Sequence, residues 1–474
     1  MQDFERAAGI VPEERQLKWQ KTEFYAFCHF GMNTFTGKEW GDGKTPPEVF
    51  NPTDFDAEQW ARAVKSAGMK ALILTCKHHD GFCLWPSEYT DYSVKNSPFK
   101  DGKGDIVKEV AEACRKYSLG FGVYLSPWDR HEKTYGSRAA YNTYYKNQLR
   151  ELLTNYGDIF CVWLDGACGE GPNGKVQKYD WNGYYALVRE LQPNAVICVS
   201  GPDVRWIGNE AGVCRSSEWS VVPAWLSKND YIAEKSQKVD DEKFRKKHNE
   251  MTLDLGSRKA IKGETAFIWY PAEVDVSIRP GWFYHENEDT KVKSLKKLYD
   301  IYIKSVGGNA ALLLNIPPDK RGKIAKTDEL TLDSFGRLLK RRFPENLAAN
   351  AKATSSSETD SEHLAKNIIE DDDSLYWQAA SDDEEPEIVI DFGKSINFDK
   401  LVLQENTATG QQIESFKIYY EKNGRWKKLC KGTVIGYKKI CLLRRAKTAR
   451  RLKIVITSYR VKATLLKAEA YLSE

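Results

Sequence analysis

Residues 159–166 read Ile159-Phe160-Cys161-Val162-Trp163-Leu164-Asp165-Gly166. Six apolar residues in a row describe a strand buried on both faces, as in a parallel sheet covered by helices. The run ends on a carboxylate. An unpaired charge is costly inside a core. At the mouth of a β/α barrel, where strand ends meet solvent, it becomes available for chemistry. This stretch therefore predicts both a barrel strand and a functional residue at its end.

The neighbouring segments repeat the pattern. Phe24 to Phe30, Ala71 to Cys76, Phe121 to Ser126, Ala195 to Val199, Thr265 to Tyr270 and Ala310 to Leu314 read as further strands. Helices fall between them: Asp56 to Ala67 with Gly68 as its stop, Asp105 to Tyr117, Tyr144 to Leu153, Trp181 to Leu191, and Lys291 to Val306. Such alternation implies a parallel sheet. About eight units over residues 1–344 predict an α/β fold of the (β/α)8-barrel kind. A doubly wound open sheet is the alternative, but no G-x-G-x-x-G follows the first strand. Residues 200–263 are less regular, and the strand count there stays open.

The pattern changes from about Leu347. Glu387 to Phe392, Lys400 to Leu403, Phe416 to Tyr420 and Leu452 to Ile456 are short alternating runs, with Asn423-Gly424 as a turn. Residues 345–474 are predicted to form an all-β sandwich. Residues 345–391 carry 14 acids and 2 bases, and residues 392–474 carry 6 acids and 19 bases. Neighbouring strands that neutralise one another account for this split, as would a basic surface for acidic glycans.

The 474-residue chain is 41% hydrophobic and 29% charged, which excludes disorder. A net charge of only +4 argues against nucleic acid as a partner. No run approaches 18 apolar residues, so no membrane span is expected. The 14 Trp and 24 Tyr suit either a large aromatic core or a sugar site. The ten cysteines form no C-x-x-C pair and read mostly as buried thiols. The N-terminus lacks a basic and an apolar leader segment. The expected compartment is the periplasm or exterior if a leader was removed, and the cytoplasm otherwise.

The residues that follow the strands supply the candidates. His29 follows the first; Lys77-His78-His79-Asp80 follows the second; Tyr124 lies near the end of the third; Asp165 follows the fourth. Three of the seven histidines at matching positions indicate a site. A metal is not expected, because adjacent residues on a strand end point in different directions and no clustered carboxylate set accompanies them. No cofactor is expected either. Glycoside hydrolysis needs two carboxylates. Glu210 or Glu218 could partner Asp165.

These motifs resemble glycoside hydrolase family 29, the α-L-fucosidases: His29-Phe30-Gly31, Glu39-Trp40, Lys77 to Phe82, Trp163 to Gly166, and Arg279-Pro280-Gly281-Trp282-Phe283-Tyr284. The resemblance spans roughly residues 15–340. Residues 209–212 and 218–223 resemble the subfamily that prefers α-1,3/1,4-linked fucose in branched glycans. The C-terminal part, through Trp377, Asp391-Phe392-Gly393 and Phe416 to Tyr419, resembles a discoidin-like, family 32-type carbohydrate-binding module. The resemblance implies an exo-acting retaining enzyme with a fucosylated glycan as partner. Asp165 is its implied nucleophile and Glu210 its acid/base, with Glu218 as runner-up. His29, Glu39, Trp40, His78, His79, Tyr124, Arg205 and Trp282 are its implied sugar contacts. Another retaining glycosidase on the same barrel, or a non-catalytic glycan-binding protein, is the competing reading.

Overall fold

The computed structural model describes residues 2–235 and 254–474. Residues 236–253, within the irregular stretch flagged above, lie outside the described residues. Eight parallel strands make the first sheet: β1 (Phe24–Cys28), β2 (Ala71–Lys77), β3 (Gly120–Leu125), β4 (Cys161–Leu164), β5 (Val196–Val199), β6 (Arg205–Trp206), β7 (Ala272–Ser277) and β8 (Ala310–Asn315). Their order is β5-β4-β3-β2-β1-β8-β7-β6, so the first and last strands are neighbours. Phe24 lies opposite Leu312 and Phe27 opposite Asn315. A parallel bridge from Cys198 to Val204 spans the gap between β5 and β6. The barrel is thus nearly closed.

Side chains alternate along a strand, which sorts each strand into two sets. Tyr25, Phe27, Cys161, Trp163, Val196, Cys198, Ala311 and Leu313 pack together inside the barrel. Phe24, Ala26, Cys28, Val162, Leu164, Leu312 and Leu314 join the outer core beneath the helices. The next inward positions are His29 after Phe27, Asp165 after Trp163, and Asn315 after Leu313. The period of two therefore delivers these polar groups to one end of the barrel.

The outer helices are α1 (Ala57–Ser66), α2 (Ile106–Lys116), α3 (Ala139–Asn155), α4 (Trp181–Leu191), α5 (Leu295–Ser305) and α6 (Lys326–Arg342). Asp56, Asp105 and Asp180 each accept a hydrogen bond from a backbone N–H in the first turn of α1, α2 and α4. Each satisfies a donor that the helix itself leaves unpaired.

Two strands depart from expectation. The run Thr265 to Tyr270 does not enter the barrel. Its Phe267–Trp269 forms a short antiparallel ribbon with Val221–Pro223. The barrel strand is β7, whose Glu273 and Asp275 interrupt the apolar signature. β6 is only two residues long and gave no periodic signal.

The second sheet is antiparallel, with β9 (Lys352–Ser355), β10 (Glu387–Gln404), β11 (Ile413–Lys422), β12 (Arg425–Gly432), β13 (Lys439–Tyr459) and β14 (Lys467–Tyr471). The order is β9-β10-β13-β11-β12, with β14 on β10. Trp377, Ile388, Phe398, Phe416, Ile454 and Leu465 build its core. Its acidic and basic halves pair: Glu387 with Lys453, Asp391 with Arg450, and Asp371 and Asp373 with Lys467. These ion pairs join the acidic and basic stretches of the domain.

α6 approaches α1 closely at Gly336, where a Cβ would run into the Ser66 carbonyl. Helix propensity alone predicts that Gly336→Ala stabilises by about 1 kcal/mol. The packing predicts the opposite sign, a loss of about 1–3 kcal/mol. A lowered thermal midpoint would agree with the packing, and a raised one would contradict it.

Candidate active site

Asp165 stands just beyond β4. Its Oδ2 accepts a hydrogen bond of 2.8 Å from the Tyr124 hydroxyl at the end of β3. The His79 Nε2 lies 3.5 Å from the same oxygen. Burial pushes the Asp165 carboxyl up to about 7, against the opposing effects of the Tyr124 hydroxyl and the Ala167 amide. Desolvation of a carboxylate acts in this direction.

The three histidines are neutral near pH 7. Burial lowers His29 to about 4 and His79 to about 3, and moves His78 well below its ordinary value. Their tautomers follow from their partners. The Asn315 Nδ2 donates to the Ser277 hydroxyl at 2.9 Å and to the Trp282 carbonyl at 2.8 Å. Asn315 Oδ1 therefore faces His29 Nδ1, 2.9 Å away, and that nitrogen carries the proton. Ser126 donates to the Trp128 carbonyl, so its oxygen accepts from His79 Nδ1 at 2.8 Å. The Nε2 atoms of His29 and His79 are acceptors. Asn33 Nδ2 lies 3.3 Å from His78 Nδ1 and donates to the Glu39 carbonyl at 3.0 Å. His78 Nδ1 thus accepts, and its Nε2 donates. A ligand hydroxyl placed against His79 Nε2 could donate its one proton to that acceptor.

The opposite rim is held by the loop after β7. Trp282 packs 5.1 Å from the His29 ring, and its Nε1 donates to Glu210 Oε2 at 3.1 Å. Glu39 fixes this loop, accepting from the Trp282 amide at 2.9 Å, the Phe283 amide at 3.3 Å and His285 Nε2 at 2.7 Å. Trp40 meets His79 and Trp128 edge-on, each at 5.5 Å. Asp165, Tyr124, His29, Trp282 and Glu210 thus form one connected rim.

Two candidate residues sit in a buried ion cluster. Arg205 was placed among the sugar contacts by sequence, but its guanidinium is occupied by the Tyr270 and Trp219 carbonyls and by Glu218. Glu218 has no exposed side chain and is held between Arg205 and Arg215. Sequence reasoning missed three residues. Asn315 sets the His29 tautomer. Asp275 accepts from Trp206 Nε1 at 2.7 Å. Burial first, and the charge of Glu210 second, push Asp275 well above the ordinary carboxylate range. Glu273 accepts from Tyr25 and from Trp163 Nε1 inside the barrel. Alternation along β7 and β8 was the signal that could have found them. Among the described residues, no three His, Cys, Asp or Glu side chains are grouped to hold a metal ion.

The family model for α-L-fucosidase matches residues 11–342, which is more than half of the chain. The chain belongs to the α-L-fucosidase family. It is a glycoside hydrolase of family 29, and an F5/8 type C domain model matches residues 352–469. Alpha-L-fucosidase 1 of Arabidopsis thaliana is 41% identical over 457 residues, covering 95% of this chain and 85% of that protein. The crystal structure of a putative α-L-fucosidase from Bacteroides ovatus is 45% identical with a TM-score of 0.85, covering 99% of this chain and 75% of that one. A family 29 fucosidase from Ruminococcus gnavus, solved in complex with fucose, is 34% identical with a TM-score of 0.84, covering 98% and 95%.

The Tyr124 hydroxyl favours ionised Asp165. Tyr124→Phe therefore raises the Asp165 pKa further, and the acidic limb of the kcat/KM profile moves to higher pH. A limb that stays in place or moves to lower pH would contradict this link.

Proposed function

We propose that this α-L-fucosidase is an exo-acting, retaining enzyme with Asp165 as nucleophile and Glu210 as acid/base. The observation that carries the reading is the shared rim: Asp165 on Tyr124 at one side, Glu210 on Trp282 at the other, with His29 between. In the first step an Asp165 oxygen attacks the anomeric carbon and the glycosidic C–O bond breaks. Glu210 gives its proton to the departing oxygen. In the second, Glu210 takes a proton from water, the water oxygen attacks the anomeric carbon, and Asp165 leaves. Two inversions return the α-anomer.

Each polar group has a task in this scheme. His29 and His79 accept from sugar hydroxyls, and His78 donates. Fucose in a glycoside offers three hydroxyls, and a site that pairs them strongly rejects sugars without that pattern. Trp282 and Trp40 form walls for the apolar parts of the ring. Asp275, pushed well above the ordinary carboxylate range by burial and then by the charge of Glu210, lies on the inner side of β7 near Glu210. Glu218, enclosed between two guanidiniums, has no route to a glycosidic oxygen, which favours Glu210.

The preference for α-1,3/1,4-linked fucose in branched glycans rests on residues 209–212 and 218–223. The domain division is proposed at 1–344 and 345–474. The C-terminal domain is read as chiefly structural: Trp377 is fully buried and donates to the Ser357 carbonyl, and Asp373 is paired with Lys21 and Lys467.

The test is a pair of variants. Asp165→Asn loses roughly 10³-fold or more in turnover, because the covalent route closes. Retention of more than about a tenth of turnover would remove the assignment. Glu210→Ala cripples hydrolysis of oligosaccharides, whose leaving groups need a proton, but spares fucosyl transfer from a good aryl leaving group, and with that aryl fucoside azide restores turnover as α-fucosyl azide. The β-azide, or β-fucose as the first product of the wild type, would contradict retention.

A further inference from the structure

The loop that carries Glu210 has no regular secondary structure between β6 and the ribbon strand Val221–Pro223. Its path is set by side-chain ties. Asn209 closes the turn that contains Glu210, donating to the Val213 carbonyl at 3.1 Å and accepting from the Ala211 amide at 3.0 Å. Gly212 has φ +78°, and a Cβ there would strike Ile301 of α5. Cys214 Sγ then donates to the Lys304 carbonyl at 2.7 Å.

The returning leg is held from the second domain. Gln411 lies between β10 and β11 and is fully buried. Its Oε1 accepts from the Ser220 amide at 2.6 Å, and its Nε2 donates to the Glu218 carbonyl at 3.1 Å. One side-chain amide thus pairs two backbone groups of the loop, as a neighbouring strand would. Asn309, beside β8, donates to the same Glu218 carbonyl at 2.8 Å and accepts from the Tyr437 amide at 2.7 Å. Thr433 accepts from the Ser217 hydroxyl at 2.8 Å and donates to the Ser216 carbonyl at 3.2 Å. The Arg460 guanidinium covers the Trp219 ring at 4.1 Å. Removing the Gln411 amide would take a partner from each of the two backbone groups it pairs.

We propose that the C-terminal domain is a working part of the active site, with Gln411 and Thr433 as positioning residues that hold the loop in the register aiming Glu210 at the departing oxygen. The proposal rests on the reading of Glu210 as acid/base. It extends the domain's role from packing to the proton-transfer step. Proton delivery depends on sub-ångström placement, and a misplacement of about 1 Å costs on the order of 10²-fold. A leaving group that needs no proton is indifferent to it.

The experiment compares two substrates in the full-length chain. Gln411→Leu keeps the volume and removes both hydrogen bonds. The kcat/KM for a fucosyl disaccharide is expected to fall about 10-fold or more, while that for an aryl fucoside with a good leaving group changes by less than about 3-fold. Thr433→Val, at an exposed position that does not threaten folding, is expected to give the same split at smaller size. It decides the matter if Gln411→Leu is not folded, as judged by its thermal midpoint. Equal losses on both substrates, or no loss on either, would overturn the proposal. Glu210→Ala serves as reference: a split there without one at Gln411 and Thr433 removes the positioning role alone. No split at Glu210 removes the assignment of the acid.

Discussion

A strand in a closed parallel barrel has one side for the interior and one for the helices, and it cannot choose a third. This constraint governs the rest of the molecule. Tyr25 and Phe27 face inward, so His29 must follow them. Cys161 and Trp163 face inward, so Asp165 must. Ala311 and Leu313 do the same for Asn315. The apolar interior is therefore the floor of the site, and the first inward position past each strand is its working surface. Moving any of these strands by one residue would turn its functional side chain to the helices.

The same floor sets the electrostatics. A carboxylate above Trp163, with water largely excluded, is pushed up to about 7. The histidines around it are driven the other way and stay neutral. Neutral imidazoles with fixed tautomers can sort hydroxyl donors from acceptors without adding charge beside Asp165. Two further acids lie on the inner side of β7. Glu273 is held by Tyr25 and Trp163 beneath the site, and it too is pushed up to about 7 by burial. That polar contact ties the floor on which Trp163 and Tyr124 pack, their rings 4.9 Å apart.

Where a segment was uniformly apolar, the sequence disclosed both the strand and the residue at its end. His29, His78, His79, Tyr124 and Asp165 are brought together as their positions implied. β7 was hidden because Glu273 and Asp275 break the apolar run, although they occupy alternate positions that face inward. β6 was hidden by its length. Arg205 and Glu218 could not be sorted by residue type, for a shared reason. A buried ion group and a catalytic one use the same residue types, and only the partners distinguish them. Arg205, Glu218 and Arg215 satisfy one another, whereas the Asp165 cluster offers acceptors and a donor to a ligand. Glu39 carries a local motif, but its reach across to the Trp282 and Phe283 amides is a tertiary fact that no spacing encodes.

The central claim is that Asp165 bonds covalently to the sugar. A 2-deoxy-2-fluoro-α-L-fucosyl fluoride needs no acid to lose fluoride, and fluorine at C2 slows release of the trapped sugar. Peptide mapping by mass spectrometry after incubation with the full-length enzyme reads where it is held. The account predicts one fluorofucosyl group per chain, on the peptide containing Asp165. A label on Glu210, Asp275 or Glu39 would contradict it, as would turnover of the reagent with no adduct at any stage.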